Sequence, residues 1–258
     1  MEQFWVEFWE REDKFMRSIK PEFRHGTGVV GVAALAGQFY CEYKTENEFT
    51  VGEIPTEAKD DGTELHDELM PTEKIAPEDF AKLVGGSGPI FAVLGLWGEV
   101  GGLRLVGMPD HLVWSEGRPL WLLELKTTRG DPAPLWEDQE NQARIYGLLL
   151  DQMGFDCSSL RLAVIRLRSF ALGKGEVRDW ATRVSLALME GKVEELEERY
   201  HGSMKVHILR HDRGVAEAAV EAKRGYWTGE REPTSSQSIG KCRACEYGQV
   251  CTKSLAKP

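Results

Sequence analysis

The sequence contains no long apolar run and no export signal. None of its apolar stretches approaches the ~18 residues that a membrane-spanning helix needs. Its first residues also lack the basic start and apolar stretch of a signal peptide. Both absences argue against a membrane-spanning or secreted chain, so we expect a cytoplasmic protein with no membrane partner.

Positive charge is also scarce. The chain has 32 Lys and Arg residues against 42 Asp and Glu residues, a formal net charge of −10. This balance argues against a protein that coats nucleic acid, because phosphate contacts require Lys and Arg. It is compatible with an acidic metal site beside a local basic groove. The candidate residues for such a groove, each of which taken singly is more typical of an ordinary solvated surface, are Arg161, Arg166, Arg168, Lys241 and Arg243.

Cysteine is sparse and odd in number. The five cysteines are Cys41, Cys157, Cys242, Cys245 and Cys251, and three of them fall within ten residues near the C-terminus. In a chain expected in the cytoplasm, this distribution favours a metal or cluster site over a disulfide framework.

What is present is an alternation of helical and extended patterns, with 41% hydrophobic residues to build a core. The patterns predict one α/β domain over 1–258, with a helical N-terminal segment to about residue 85, a core over about 86–210 and a C-terminal helix with the cysteine segment over about 211–258. The predicted helices cover 1–20, 134–153, 178–200 and 211–226, with a loop over 44–62. The predicted strands cover 90–96, 103–106, 111–114, 120–126, 160–167 and 204–209.

The most informative stretch is Gly-Met-Pro-Asp, ending at Asp110, followed by Glu124-Leu125-Lys126. Alternation along a strand places Glu124 and Lys126 on one face and Leu123 and Leu125 on the other, towards the core. A hairpin with its turn at 115–119 would bring Asp110 alongside Glu124.

Two carboxylates on adjacent strands make a site for a hard divalent cation such as Mg²⁺. Such an ion polarises a phosphoryl oxygen, and a neighbouring lysine can orient or deprotonate the attacking water and offset phosphate charge. Asp110, Glu124 and Lys126 therefore contain the parts for phosphodiester hydrolysis. A surface ion pair and a simple turn are the alternatives, but a carboxylate inside the apolar run 121–125 needs a partner or a metal.

Two further features support this site. Gln142 and Tyr146 are four residues apart, hence on one helix face, where they can reach phosphate or base groups. They are also typical of an ordinary amphipathic helix. His66 is a possible additional metal ligand, although a lone histidine is usually structural.

The cysteine spacing predicts a second site. Cys242-x2-Cys245-x5-Cys251 supplies three thiolates, and Cys41 supplies a possible fourth. Four thiolates hold a [4Fe–4S] cluster or a tetrahedral zinc, and spacing alone does not decide. The one-plus-three arrangement favours the cluster. It would close a loop of about two hundred residues and stabilise the fold by roughly 5 kcal/mol. Cys157 is expected to be a buried free thiol.

In chain order, the motifs are a cysteine, Gly-x-x-x-His, Gly-x-x-Asp, Glu-x-Lys, Gln-x-x-x-Tyr and Cys-x2-Cys-x5-Cys. This series, from Cys41 to Cys251, resembles the iron–sulfur branch of the PD-(D/E)XK, or RecB-like, nucleases, which includes the CRISPR-associated Cas-four exonucleases and the Dna-two nuclease domain. The residues before Cys41 and the charged stretch 178–200 depart from the compact Cas-four pattern.

The resemblance implies a restriction-endonuclease-like core, a central mixed sheet flanked by helices. It implies His66, Asp110, Glu124 and the Leu125 carbonyl as ligands of Mg²⁺ or Mn²⁺, with Lys126 catalytic. Gln142 and Tyr146 would contact substrate or support the site. It further implies cleavage of single-stranded DNA from an end, in CRISPR adaptation with integrase partners or in repair.

Two alternatives remain open. The chain could be a weakly cleaving or non-cleaving DNA-binding subunit of an integrase or repair complex, although such a binder does not need the complete set Asp110, Glu124 and Lys126. It could also be a zinc-stabilised protein with no role on nucleic acid.

Overall fold

Helices occupy both ends of the chain, and strands dominate its middle. The computed structural model describes residues 2–56, 76–169, 171–172 and 176–256, so the predicted ligand His66 lies outside the described residues. The helices of the described part, numbered in chain order, are α1 Glu2–Ser18, α2 Val32–Tyr40, α3 Glu42–Thr50, α4 Pro77–Val84, α5 Glu137–Gln152, α6 Val177–Glu190, α7 Val193–Arg199, α8 Arg213–Trp227 and α9 Ile239–Ala244. None of these helices is long and apolar enough to cross a bilayer.

The strands form two sheets. They are β1 Val30–Gly31, β2 Ile90–Phe91, β3 Leu96–Val100, β4 Leu103–Gly107, β5 His111–Ser115, β6 Arg118–Thr128, β7 Arg161–Arg168 and β8 Met204–Arg210. The larger sheet has the order β2-β5-β6-β7-β8, and the smaller has the order β1-β4-β3. In the larger sheet β6 pairs antiparallel with β5 and parallel with β7, so the sheet is mixed, as the family resemblance implies.

The central strand β6 is covered on both faces. Leu122 packs into a large cluster with α5, while Leu123 packs into a second cluster with α6. Because both faces are covered, the sequence of β6 is a nearly continuous apolar run and does not alternate between apolar and polar residues. A carboxylate on this strand, Glu124, is therefore held inside the protein.

A tight turn joins β5 to β6, where the sequence predicts one. Glu116 and Gly117 both have positive φ angles, 51° and 77°. This pair matches the left-handed conformation that two-residue hairpin turns require, and glycine adopts it without steric cost.

Three sequence predictions were wrong in detail. Residues 44–50 are helical within α3 rather than a loop, because Glu42 and Thr45 turn a polar helix face into the protein. The stretch 178–200 is two helices, since Gly191 ends α6 in the left-handed conformation at φ 70°. The run 90–96 is two short strands in different sheets, β2 and β3.

The three segments predicted along the chain share one core. The larger buried cluster includes Phe8 from α1, Leu105 from β4 and Trp227 from α8. The N-terminal segment is not wholly helical, because β1 pairs in parallel with β4.

Candidate active site and cysteine cavity

The β5–β6 hairpin brings the two predicted carboxylates together. His111 pairs with Leu123, and the same antiparallel register carried one residue further sets Asp110 opposite Glu124. The Leu125 amide donates a hydrogen bond to Asp110 Oδ2 at 2.6 Å. Both side chains are buried, with Asp110 7% and Glu124 2% exposed.

Lys126 connects the carboxylates to the helix that follows the hairpin. Its Nζ lies 2.8 Å from Glu124 Oε1 and donates to Gln142 Oε1, also at 2.8 Å. Gln142 Nε2 in turn donates to the Tyr146 hydroxyl at 3.4 Å. Predicted residues from β6 and α5 thus form one chain of polar contacts. We call Asp110, Glu124 and Lys126 the hairpin site.

The electrostatics of the hairpin site suit a bound cation. Burial raises the pKa of Asp110, and the charge of Lys126 with the Leu125 amide offsets this only in part. Burial lowers the pKa of Lys126, but the charges of Glu124 and Asp110 outweigh it and hold that pKa above its ordinary value. Two buried carboxylates beside one lysine leave an excess of negative charge, which a divalent ion would compensate.

The approach of α5 to the hairpin site depends on a glycine. A Cβ at Gly107 would lie 2.6 Å from Tyr146 Cε1, so only a residue without a side chain admits the ring there. Burial also raises the pKa of Tyr146, whose hydroxyl therefore stays protonated. Gly107, the glycine of the Gly-x-x-Asp motif, is therefore required for the packing of Tyr146.

Two residues near the site were missed by sequence reasoning. Asp138 lies one helical turn before Gln142 on α5, and its charge contributes to the raised pKa of Lys126. The i, i+4 spacing of Asp138, Gln142 and Tyr146 was the available signal. Trp136 precedes α5, is 41% exposed, and stacks on Tyr40 with ring centroids 6.4 Å apart.

Three of the predicted basic residues lie on β7 and divide between the two faces of the sheet, whereas Lys241 and Arg243 lie in α9. Lys126 pairs in register with Arg166, so both lie on the face of the hairpin site. Arg168, two residues on, shares that face. Arg161 lies on the other face, with its guanidinium 5.7 Å from the centre of the Trp121 ring. Arg166 is buried and lies 5.8 Å from the Trp136 ring.

The four cysteines expected to act together line one cavity. They are Cys41, Cys242, Cys245 and Cys251. Cys41 stands between α2 and α3, and its sulfur accepts a hydrogen bond from the Ser236 amide at 3.4 Å. Lys44 and Lys241 also line the space, which we call the cysteine cavity. Four thiol groups with neighbouring cations are a donor set that fits a thiolate-bound metal or cluster.

Direct contacts hold the N-terminal segment against the C-terminal segment beside this cavity. Tyr40 donates to the Lys241 carbonyl at 2.8 Å, and Lys241 Nζ donates back to the Tyr40 carbonyl at 3.1 Å. Tyr247 donates to the Gly52 carbonyl at 2.8 Å. The N- and C-terminal segments therefore meet through protein contacts in the structure.

A buried carboxylate beside Cys41 strengthens this junction. Glu42 receives hydrogen bonds from both terminal nitrogens of Arg231, at 2.6 and 2.7 Å, and from the Thr234 amide at 2.7 Å. Lys223 Nζ lies 3.2 Å from its Oε1. Burial raises the pKa of Glu42, but these partners outweigh it and lower the pKa to about 2. The carboxylate stays ionised and ties α3 to α8 and the linker after it.

Comparisons with known proteins identify the family of the chain. Residues 40–252 match the family described as the PD-(D/E)XK nuclease superfamily. Exonuclease V of Danio rerio is 27% identical over 185 residues, which cover 60% of this chain and 47% of that protein. The chain thus spans about half the length of this curated relative.

A structural comparison adds little. The crystal structure of SSO0001 aligns with 88% of this chain and 87% of that chain, at 13% identity and a TM-score of 0.43. That likeness is too low to carry an argument. The family match, by contrast, extends from just before Cys41 to just beyond Cys251 and includes every hairpin residue. The chain belongs to the PD-(D/E)XK nuclease superfamily.

Proposed function

We propose that this protein is a divalent-metal-dependent deoxyribonuclease that cleaves single-stranded DNA from an end. The observation that carries the proposal is the pair of buried carboxylates, Asp110 and Glu124, with Lys126 Nζ 2.8 Å from Glu124 Oε1. Membership in a nuclease superfamily and similarity to an exonuclease support the same activity.

The metal ligands in this proposal are Asp110, Glu124, the Leu125 carbonyl and His66, with Mg²⁺ or Mn²⁺ as the ion. The oxygen donors match the preference of these hard cations. When bound, such an ion polarises a phosphoryl oxygen and lowers the pKa of a coordinated water.

Lys126 has a separate role in this proposal. Its ammonium group is held between Glu124 and Gln142, so it carries its charge at a fixed point of the site. A fixed cation stabilises the negative charge that develops on the scissile phosphate. Gln142 and Tyr146 keep Lys126 in position.

Trp136 and Tyr40 supply a path for a single strand. Exposed aromatic rings stack on bases without regard to sequence, and neighbouring cations follow the backbone. Trp136 is exposed, and the partly exposed Tyr40 stacks beside it with its ring 5.0 Å from Lys241 Nζ. These residues connect the side of the hairpin site with the cysteine cavity.

For the cysteine cavity we propose a [4Fe–4S] cluster bound by Cys41, Cys242, Cys245 and Cys251. The one-plus-three spacing and the shared cavity support it. Anaerobically purified protein should be brown with broad visible absorption. A colourless protein holding zinc in this cavity would refute the cluster and keep the four-thiolate site.

The activity is tested with DNA strands labelled separately at each end and incubated with Mg²⁺, Mn²⁺ or a chelator. We expect metal-dependent release of label from one end of single strands. A protein that binds these strands but leaves them intact under all metal conditions is a DNA-binding subunit, and the enzyme proposal then fails.

The product lengths address the pathway. We propose end processing in CRISPR adaptation or in repair as the setting of this activity. Trimming of a protruding strand to a defined length, with an integrase protein bound, supports the adaptation role. Continuous degradation to short oligonucleotides that an integrase does not change supports repair.

A further inference from the structure

We propose that Asp151, Cys157 and His211 form a separate site for a zinc ion. These residues lie outside both the hairpin site and the cysteine cavity. One ligand atom from each of the three lies within 4.8 Å of the other two. We call this group the Asp–Cys–His cluster.

The cluster joins parts of the chain that meet only in the folded protein. Asp151 lies in the last turn of α5, Cys157 in the connection from α5 to β7, and His211 between β8 and α8. A bound ion would link the end of α5 to the start of α8.

The imidazole of His211 lacks the partners that a buried ring normally has. Its side chain is 10% exposed, and its Nδ1 is buried without a hydrogen-bond partner among the described residues. Its Nε2 lies 3.9 Å from Asp151 Oδ2, too far for a hydrogen bond. A Cβ at Gly147 would lie 2.9 Å from Nδ1, so this glycine makes room for the ring. Nδ1 thus packs against Gly147, whereas Nε2 lies on the side of Asp151 and is the nitrogen that would bind an ion in this cluster.

The donor set identifies the class of ion. Thiolate, imidazole and carboxylate together suit Zn²⁺, whereas Mg²⁺ prefers oxygen alone. Zn²⁺ bonds to these donors measure about 2.0–2.3 Å, so the three ligand atoms need to close by only about 1 Å. The sequence predicts Cys157 as a buried free thiol, and burial raises its pKa to about 12. In this site it would bind instead as thiolate, with its proton released to solvent as the Zn–S bond forms.

The cluster is open on one side. Asp151 is 27% exposed, and Arg213 Nη1 lies 3.5 Å from its Oδ2. Arg213 is 56% exposed, so it can leave Asp151 for solvent when a cation arrives. A water molecule would complete the tetrahedron at this opening.

The test measures zinc bound per chain in the full-length protein, by competition with a chromogenic chelator. His211→Gln, Cys157→Ser and Asp151→Asn should each lose one equivalent of zinc relative to the native protein. The matched control is His207→Gln, a histidine on β8 outside the cluster, which should keep it. Asp151→Asn changes a partly exposed side chain and therefore guards against misfolding of the other variants.

A second readout separates this cluster from the other two sites. The same loss should occur in a Cys41→Ser background and in an Asp110→Asn background. Zinc at 100 times its Kd should raise the Tm of the native protein by about 5–10 °C more than that of the His211 variant. Equal stoichiometry and equal Tm shifts in native protein and all three variants would overturn the proposal.

Discussion

The hairpin site and the cysteine cavity are assembled over very different distances along the chain. The hairpin residues fall within 17 positions, 110–126, and are fixed by the register of one antiparallel pair. The cavity joins Cys41 to residues about two hundred positions later, through loops and the short helix α9. A local turn sets the register that brings the hairpin residues together, whereas the cysteine cavity requires the completed tertiary fold.

This difference makes the two sites vulnerable in different ways. A change in the hairpin site should remove chemistry and leave the fold, because neighbouring strands hold the backbone. A change in the cysteine cavity should weaken the fold first. Four substitutions test this contrast.

The largest effect is expected for Asp110→Asn. The amide oxygen can still accept the hydrogen bond from the Leu125 amide, so the hairpin should persist. Loss of a metal-binding charge should lower the cleavage rate about ten-thousandfold, or ~5.4 kcal/mol. Single-turnover kinetics on end-labelled strands measure this, and substitution of the exposed Asp13 of α1 by Asn is the control. Full activity of the Asp110 variant, or of native protein in excess chelator, would contradict the assignment of Asp110 as a ligand of a catalytic metal ion.

Cys41→Ser should act on stability. If the proposed cluster closes a loop of about two hundred residues, its loss should cost up to roughly 5 kcal/mol and should bleach the visible absorption. Absorption spectra and denaturant unfolding under anaerobic conditions report both. Cys157→Ser is the control and should leave the colour unchanged. If the colour follows Cys157 instead, the choice of fourth ligand is wrong.

Lys126→Met should lower turnover by about two to three orders of magnitude, or ~3–4 kcal/mol, because a fixed cation at the phosphate is lost. Metal affinity should change little. Measurement of rate against Mn²⁺ concentration separates the two quantities, with Lys82→Met on α4 as the control. Weakened metal binding with normal saturated turnover would contradict the assigned role.

Glu42→Gln should have the smallest effect of the four. It leaves Arg231 and Lys223 without a carboxylate, but both are partly exposed, so we expect a loss of ~2 kcal/mol in unfolding free energy. Glu221→Gln, a surface carboxylate paired with Arg224, should change stability by less than ~0.5 kcal/mol. Equal effects of the two substitutions would show that the contacts of Glu42 stabilise the fold no more than a surface ion pair does.

The sequence predicts the hairpin well because period-2 alternation and turn chemistry are local. The β5–β6 turn and the pairing of the Asp110 and Glu124 positions follow from those signals alone. The helix α3 could not be read in this way, because its polar residues become a buried face only when α8 and the linker after it supply Arg231 and Lys223. Local sequence patterns contain no information about partners that lie so far away along the chain.

The same limit explains the missed site residues. Trp136 precedes a helix in a polar stretch, and its contacts with Tyr40 and Arg166 exist only in three dimensions. Asp138 was within reach, since its spacing to Gln142 repeats that of Gln142 to Tyr146. Glu124, a carboxylate inside the apolar run of β6, was a stronger signal. Because β6 is buried on both faces, a charged residue there needs a partner or a metal.

The partners of Glu42 also bear on how the chain is made. Synthesis proceeds from the N-terminus, so Glu42 leaves the ribosome about 180–190 residues before Lys223, Arg231 and Thr234. Throughout that interval the carboxylate cannot be buried without a large desolvation cost. The β5–β6 hairpin is complete by residue 128 and can therefore form before the partners of α3 have been synthesised. A truncated product ending near residue 210 would carry the hairpin site but expose α3, so it offers proteases a ready target. Burial of Glu42 therefore depends on synthesis of the later segment that carries Lys223, Arg231 and Thr234.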